Sequence, residues 1–450
     1  IFGVAIPSGV PVSKYVQRQK DLTRALSSTQ DIKVLAPLYG SELVGIQVPN
    51  KDVATIGLKQ IFTSDEYMKK DYVLGVPLGM SLYGEPVVMD IEAMPHLLIA
   101  GSTKTGKSVC LNVIILSLVM RYGPEYMKLL LIDPKQVEFP VFNGLPHLLT
   151  KEAITDPKES IAALDWMIDE MKNRYTIMKN CCVRNIAEYN ALSDEERGGL
   201  EKFKYIVVIV DEFGDLMDSS GKGPDSLETK INALARLSRA AGIHLIIATQ
   251  RPSTDVITGT IKNNLTSRIA FAVGSDYDSR TILNDGGAET LQGKGDMFYV
   301  PQDSKGMKTR VQCAYVSGKE IKEIVKDIKA NNESYFDESI PEYIKKKTAV
   351  QPEPSGEGAA SSVGEGGGKG CDSLMKEAVE YAMSLGELSI GKLQRRFGLG
   401  FNRAARIVDN MEDMGIIAPN EGTGNKPRRV TITKDEFDRL FGEGENSEEL

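Results

Sequence analysis

The sequence predicts an α/β fold, a parallel sheet flanked by helices, with a small α+β module before it and a helical module with a β wing after it. Three observations carry this. Short apolar runs alternate with helical periods through the middle of the chain, a glycine-rich turn joins one such run to a helix, and helical patterning restarts after a stretch with no apolar period.

At 450 residues the chain exceeds one ordinary core, because single cores stop growing at about 250–300 residues, so two or three domains are expected. With 41% hydrophobic, 26% charged and 7% aromatic residues, the composition excludes a disordered or fibrous chain. No apolar run approaches the about 18 residues that span a bilayer, and no basic-then-apolar leader opens the chain. A soluble, cytoplasmic piece is therefore expected. Because it opens on Ile1 rather than Met, it reads as a fragment whose preceding part is open to any content, membrane helices included. Cys110, Cys181, Cys182, Cys313 and Cys371 include one adjacent pair but no CxxC, and His96, His147 and His244 are far apart, so no cysteine–histidine metal cluster is expected. The net charge of −8 argues mildly against indiscriminate nucleic-acid binding, yet such binding follows where cations sit rather than their sum.

Residues 1–72 read as the α+β module: a helix over Val16–Leu26, then strands over Ile32–Pro37 and Leu43–Val48, closed by Pro49-Asn50. Residues 73–345 hold the runs His96–Ala100, Leu129–Ile132, Tyr205–Val210, His244–Thr249, Ile269–Val273 and Met297–Val300, the continuous apolar pattern of strands buried on both faces. Residues 346–370, rich in Gly, Ser, Pro and Glu, predict a flexible linker. Residues 371–441 predict three helices, a turn over Glu421–Pro427 and a strand over Arg429–Thr433, and 442–450 form an acidic tail.

The run Gly101, Ser102, Thr103, Lys104, Thr105, Gly106, Lys107, Ser108 fits G-x-x-x-x-G-K-[ST] between a buried strand and a predicted helix over Ser108–Arg121. Such a P-loop curls backbone N–H groups, Val109 included, round phosphates at a positive helix end; Lys107 reaches the β and γ phosphates and Ser108 ligates Mg²⁺. ATP and Mg²⁺ are the expected cofactors. A chance Gly-rich turn is the plain alternative. Tyr205–Val210 ends in Asp211-Glu212, which puts Asp211 beside the Mg²⁺ shell and leaves Glu212 to polarise the attacking water. At the end of the next strand, Gln250 is placed to sense the γ phosphate, although a polar residue often merely ends a strand.

Several ordered segments then carry a resemblance: Pro95-His-Leu-Leu-Ile-Ala-Gly101, Asp211-Glu-Phe-Gly-Asp-Leu-Met217, Arg239-Ala-Ala-Gly-Ile-His-Leu245, Ala248-Thr-Gln-Arg-Pro-Ser253, Asp255-Val-Ile-Thr-Gly259, Asp278-Ser-Arg-Thr-Ile-Leu283, Gly286-Gly-Ala-Glu289 and Gly295-Asp-Met297. The chain resembles the motor portion of the FtsK/SpoIIIE family of DNA translocases over essentially its whole length. The resemblance implies a RecA-like P-loop NTPase in a homo-hexameric ring threaded on double-stranded DNA, and a parent at the cytoplasmic face of the cell membrane with an anchored N-terminal region absent from this chain. It implies that Arg239 completes a neighbour's nucleotide site, a solvated helix residue being the alternative. It also implies that Arg251, Lys262 and Arg280 face the pore and track phosphates, unless they are ordinary surface cations. Lys104 stands where the family has Gly, Thr266 where it has Pro, and Asp276 where a basic residue is common.

Leu393-Gln-Arg-Arg-Phe397 and Phe401-Asn-Arg-Ala-Ala-Arg406 resemble the family's winged-helix γ domain. Between Leu388 and Val408 the charged residues are Lys392, Arg395, Arg396, Arg403 and Arg406, with no acid, a cluster suited to phosphates. Asn402, Arg406 and Asp409, at i, i+4 and i+7, share a helix face with the chemistry of base reading, although Asp409 would equally pair with Arg406. Arg428 and Arg429, beside the wing turn, are expected phosphate contacts. A duplex-DNA translocase for chromosome segregation at division or sporulation is the leading expectation. A secretion or conjugation ATPase of related fold and a DNA-binding regulator with an accessory nucleotide domain are the alternatives.

Overall fold

The chain is described by a computed structural model covering residues 1–7, 9–27, 32–35, 42–50, 54–221, 223, 226–304, 306–332, 336, 338–349, 374–397, 401–418, 428–434 and 436–437. Side chains are described for these except 35, 349, 395, 401–403, 405, 406 and 413. It divides into two units, residues 1–353 and 354–450.

In the first unit, strands β1 (Phe2–Val4), β2 (Lys33–Leu35) and β3 (Val44–Gln47) pair antiparallel with β3 in the centre. The single helix expected over Val16–Leu26 is two, α1 (Ser13–Gln17) and α2 (Gln19–Ala25), because Arg18 leaves helical geometry at φ −88° and ψ 8°. This small sheet is tied to the large one: Lys33 Nζ donates to the Thr290 hydroxyl at 2.6 Å, and Arg310 donates to Gln47 Oε1 at 3.2 Å. Helices α3 (Leu58–Phe62) and α4 (Asp65–Met68) send Leu58, Ile61 and Tyr67 inward, and Leu58 and Ile61 share a core with Leu74 and Val76. Packing thus joins residues 57–68 to the large sheet, upstream of the boundary expected at 72.

The large sheet begins with β4 (Gly75–Ser81) and β5 (Pro86–Asp90), then β6 (His96–Ala100), helix α5 (Lys107–Arg121) and β7 (Met127–Ile132). Helices α6 (Pro157–Asn180) and α7 (Ile186–Ala191) lead to β8 (Tyr205–Val210), and α8 (Phe213–Ser219) and α9 (Leu227–Leu237) lead to β9 (Ile243–Thr249). Helix α10 (Gly259–Asn264), β10 (Ser267–Phe271), α11 (Asp276–Leu283), β11 (Asp296–Val300) and β12 (Thr309–Cys313) follow. The nine strands lie in the order β5-β4-β12-β11-β10-β6-β9-β8-β7. From β10 to β7 neighbours are parallel and fully buried, as their unbroken apolar runs require. The expectation of an all-parallel sheet needs correction: Met297–Val300 lies in β11, antiparallel to β10, and β12, β4 and β5 extend that antiparallel half. Their pattern mixes Gly, Pro and polar residues with apolar ones, which is why it was not read as strand.

Helix α5 is apolar nearly all round and correspondingly buried, packing with β4 on one face of the sheet. The opposite face is covered by α6, α8 and α9. Asp156 caps α6, its Oδ1 accepting from the N–H groups of Lys158 and Glu159 at 2.8 and 3.0 Å, with Pro157 opening the helix. After α12 (Gly318–Asn331), helix α13 (Ser339–Ala349) buries Ile340 and Ile344 in the α6 face, where the Tyr343 hydroxyl donates to Asp169 Oδ2 at 2.7 Å. Residues 346–349, expected as linker, therefore continue a helix whose i, i+4 apolar pair anchors it. The rest of the expected linker and the 442–450 tail lie outside the described residues.

In the second unit, α14 (Met375–Leu385), β13 (Glu387–Leu388), α15 (Ile390–Phe397), α16 (Phe401–Asp413) and β14 (Arg428–Arg429) surround one core that includes Val379, Leu388, Leu393, Ile407, Met411 and Ile416. The two short strands pair antiparallel, giving the three helices and wing that the sequence predicts. The strand expected over Arg429–Thr433 is displaced to Arg428–Arg429, with a single further bridge from Val430 to Ile417.

Candidate nucleotide site and DNA-facing cations

Parallel pairing brings the C-terminal ends of β6, β9 and β8 side by side, and the expected nucleotide residues leave from those ends. After β6 the P-loop is strapped down by Gly101 N–H to Thr249 O at 3.3 Å, Ser102 N–H to Ala272 O at 2.9 Å and the Thr105 hydroxyl to Ser102 O at 2.6 Å. Gly106 has φ 120°, and a Cβ there would meet Gly295 N at 2.7 Å, so glycine is required both for the turn and for the contact. Lys104 adopts φ 64°, which explains why glycine suits that position; lysine holds the same left-handed geometry at a cost of about 1–2 kcal/mol.

A cleft of about 780 Å³ is lined by Ser102, Thr103, Lys104, Gly106, Lys107, Ser108 and Val109, with Gln250 opposite. Gly101 and Thr105 shape the loop without lining it. Ala54, Thr55, Ile56, Lys294, Gly295, Cys313 and Tyr315 complete the wall. Of these the sequence marked only Gly295, in the segment Gly295-Asp-Met297, because they reach the cleft from the turn before β11, from the end of β12 and from the segment before α3, far away along the chain.

Inside the cleft the Lys107 ammonium pairs with the Asp211 carboxylate, both side chains almost wholly enclosed. Burial raises the Asp211 pKa, with Asp133 and Glu212 adding to it, and Lys107 opposes them without cancelling the rise. Glu212 sits at φ 55°, ψ 63° as the N-cap of α8, a left-handed turn that directs its side chain toward β9. There Oε1 accepts from the Thr249 hydroxyl at 3.1 Å and from Gln250 N–H at 3.2 Å, and Lys135 Nζ lies 3.3 Å from Oε2. Gln250 thus binds Glu212 through its backbone while its side chain faces the cleft. Lys135 and Thr249 are site residues that sequence reasoning missed. A signal existed for Lys135: Leu129–Ile132 is a buried strand ending in Asp133-Pro134-Lys135, the same kind of polar strand end that singled out Asp211-Glu212.

Comparison with known proteins accords with this geometry. The profile of the FtsK/SpoIIIE family matches residues 57–254, that of the Ftsk gamma domain 369–433 and that of the FtsK alpha domain 1–50. A DNA translocase FtsK of Haemophilus influenzae (strain ATCC 51907 / DSM 11121 / KW20 / Rd) is 41% identical over 457 residues, covering 97% of this chain and 83% of that protein. The chain belongs to the FtsK/SpoIIIE family. A DNA translocase FtsK of Clostridium tetani (strain Massachusetts / E88) is 43% identical over 432 residues, 95% of this chain and 55% of that protein. The chain spans about half the length of the first curated relatives it matches. Among solved structures it is similar to the pCW3 conjugation coupling protein TcpA, a monomer form with ATPgS, at TM-score 0.53 and 25% identity, covering 70% of this chain and 86% of that one.

The remaining residues expected from the FtsK/SpoIIIE family separate into two groups. Arg239 lies exposed in the turn between α9 and β9, so it sits at the start of the parallel strands, opposite the end that holds the P-loop. Among the described residues it has no ion-pair partner. The other cations are tied to oxygens of their own chain. Arg251 pairs with Asp218 and lies 3.5 Å from Asp255; Arg280 bonds Asp276 on its own helix at 2.7 Å; Lys262 Nζ donates to Arg280 O at 2.8 Å. Asp276, noted for standing where a basic residue is common, is the partner of Arg280.

In the γ module, Arg396 lies 5.6 Å from the centre of the Tyr381 ring. The side chains of Arg395, Asn402, Arg403 and Arg406 lie outside the described residues, although their backbones continue α15 and α16. Arg428, expected as a phosphate contact, pairs with Glu412 and lies 4.0 Å from Asp409, its side chain 13% exposed, because β14 runs against α16. Asp409 thus faces Arg428, and Arg429 is the wing arginine left exposed.

Proposed function

We propose that this chain is the motor segment of an ATP-dependent double-stranded DNA translocase, working as a homo-hexameric ring in chromosome segregation at cell division or sporulation. The observation that carries the reading is the convergence of the P-loop, Asp211 and a buried, left-handed Glu212 at one end of the parallel strands. In the family setting, that arrangement hydrolyses ATP. The P-loop N–H groups and Lys107 hold the phosphates, and Glu212, fixed by Thr249 and Gln250, polarises a water and accepts its proton. The donors fit Mg²⁺: the Ser108 hydroxyl and the Asp211 carboxylate are hard oxygens, and no cage of three or more His, Cys, Asp or Glu exists among the described residues, as suits an ion held mainly by phosphates and water. Bound there, Mg²⁺ would neutralise phosphate charge.

A ring explains Arg239. Its place at the opposite end of the strands from its own P-loop supports a role in a neighbour's site. The γ module, through α16 and the exposed Arg429, would meet duplex DNA and guide loading or direction. A longer parent anchored by an N-terminal region at the cytoplasmic face of the membrane belongs to the same proposal, supported by the greater length of the relatives; no helix among the described residues is long and apolar enough to cross a membrane. The similarity to a conjugation coupling protein favours a second reading, a conjugation or secretion ATPase that moves protein or single-stranded DNA, against which the γ module argues. ATPase rate measured with duplex DNA, single-stranded DNA or no DNA tests the choice. Duplex stimulation is expected; stimulation by single strands alone favours the second reading, and equal rates with all three overturn both.

A further inference from the structure

Glu212 is about 1% exposed, and a buried carboxylate needs its charge compensated. Thr249 and Gln250 supply neutral donors to it. Among the described residues the one cation within ion-pair distance is Lys135, 3.3 Å from Oε2. The same ammonium lies 3.3 Å from Asp215 Oδ2, on the first turn of α8, where the carboxylate is open to water. Lys135 therefore bridges two acids, one enclosed and one hydrated. Its loop is pinned by the buried Asp133 carboxylate, which accepts from the N–H groups of Lys135, Glu138 and Phe139 at 3.2, 2.9 and 3.0 Å. That pinning lets the end of β7 place a charge against the end of β8. Burial pulls the Lys135 pKa down, but Glu212 and Asp215 outweigh it and leave it raised, so the group is an ammonium throughout the neutral range.

We infer that Lys135 is a positioning residue for hydrolysis: shared between Glu212 and Asp215, its ammonium sets where the Glu212 carboxylate rests. The inference rests on the reading of Glu212 as the group that polarises water. The two equal distances also give Lys135 a second resting place. Moving toward Asp215 would free Glu212 Oε2 to accept the proton from water, so the loop after β7 can govern the base without touching nucleotide.

The test compares Lys135→Met, Lys135→Arg and Glu212→Gln in the full chain, reading kcat and KM for ATP and, separately, nucleotide binding. Lys135→Met should lower kcat about tenfold while holding KM and nucleotide affinity within about twofold. Lys135→Arg, which restores the charge, should recover most of the rate. An unchanged kcat, or a loss carried by KM, overturns the inference, the latter making Lys135 a phosphate contact. Normal hydrolysis by Glu212→Gln would instead sink the catalytic reading itself. An inactive Glu212→Gln beside a Lys135→Met of unchanged kcat would leave that reading standing and remove only the role given to Lys135.

Discussion

The cleft at the end of the parallel strands and the cationic surface expected to meet DNA both consist of cations paired with carboxylates, yet they place those pairs in different media. Lys107–Asp211 is enclosed, and Lys135–Glu212 has its acid enclosed. Arg251–Asp218 and Arg280–Asp276 stand in water, with all four side chains about half exposed. Removing one partner from a buried pair leaves an uncompensated charge and costs about 3–5 kcal/mol, whereas an exposed pair is worth about 0–1 kcal/mol. The cleft should thus respond to substitution all at once, and the surface by small exchanges of carboxylate for phosphate.

The largest effects are expected in the cleft. Lys107→Ala should abolish hydrolysis, since it removes the phosphate-facing cation and leaves Asp211 buried alone. Glu212→Gln should still bind ATP but turn over about 10²–10⁴-fold more slowly, because the amide keeps the Thr249 contact and cannot accept a proton. Nucleotide binding and phosphate release measured side by side check both. Near-normal phosphate release by either variant would erase the contrast between the two regions.

Next in size is the arginine that belongs to neither class of pair. Arg239→Ala should be inactive alone, yet regain activity when mixed with a Lys107→Ala chain, because a hybrid interface can join an intact P-loop to an intact arginine. ATPase rate across mixing ratios is the measurement. Full activity of Arg239→Ala alone, with no rescue in verified mixed rings, would return Arg239 to an ordinary surface role.

The same division governs what was legible in the sequence. Local rules found the nucleotide site, because the P-loop and the Asp211-Glu212 strand end each announce their chemistry within eight residues. The partners that hold Glu212 were not legible as partners: Lys135 and Thr249 arrive from β7 and β9, and only the strand order places them beside β8. The antiparallel half of the sheet was lost because β4 and β12 carry Pro77, Gly79 and Arg310 among their apolar residues. The fate of the surface cations was hidden for another reason. Arg428 pairs across sixteen residues with Glu412, and sequence counts charges without saying which are already taken.

A third prediction reads the buried floor of the sheet. Burial lowers the pKa of His96 to about 4 and of His244 to about 3, with Arg239 repelling a proton on His96 and His96 repelling one on His244. Both folded values lie below the unfolded value near 6.5, so the unfolded chain binds more protons as pH falls. Stability is therefore fully present above about pH 6.5 and falls below it, by up to about 1.4 kcal/mol per pH unit for each histidine until the folded values are reached. Denaturation midpoints between about pH 6.5 and 5, above the range where carboxylates titrate, isolate the effect. His244→Leu should reduce that slope, and a slope unchanged by the substitution would show that the buried histidines do not set it.

The smallest effect is expected where the surface pairs should exchange with DNA. Asp276 accepts from Arg280 Nε at 2.7 Å, and its negative charge offsets the guanidinium that a phosphate would approach. Asp276→Asn removes the competitor and keeps the side chain's shape, so Arg280 should engage DNA more fully. Because the pair is an exposed i, i+4 contact, its loss should leave folding stability essentially unchanged. Duplex affinity should rise modestly, and the dependence of log K on log salt should steepen by up to about one, the signature of one further phosphate neutralised. Arg280→Ala should shift the salt slope the opposite way, with base sequence irrelevant to both. Titration of duplex binding across salt concentrations distinguishes the outcomes. If both variants keep the parent slope, Arg280 is a surface cation satisfied by its own helix, and any DNA-tracking role passes to other residues.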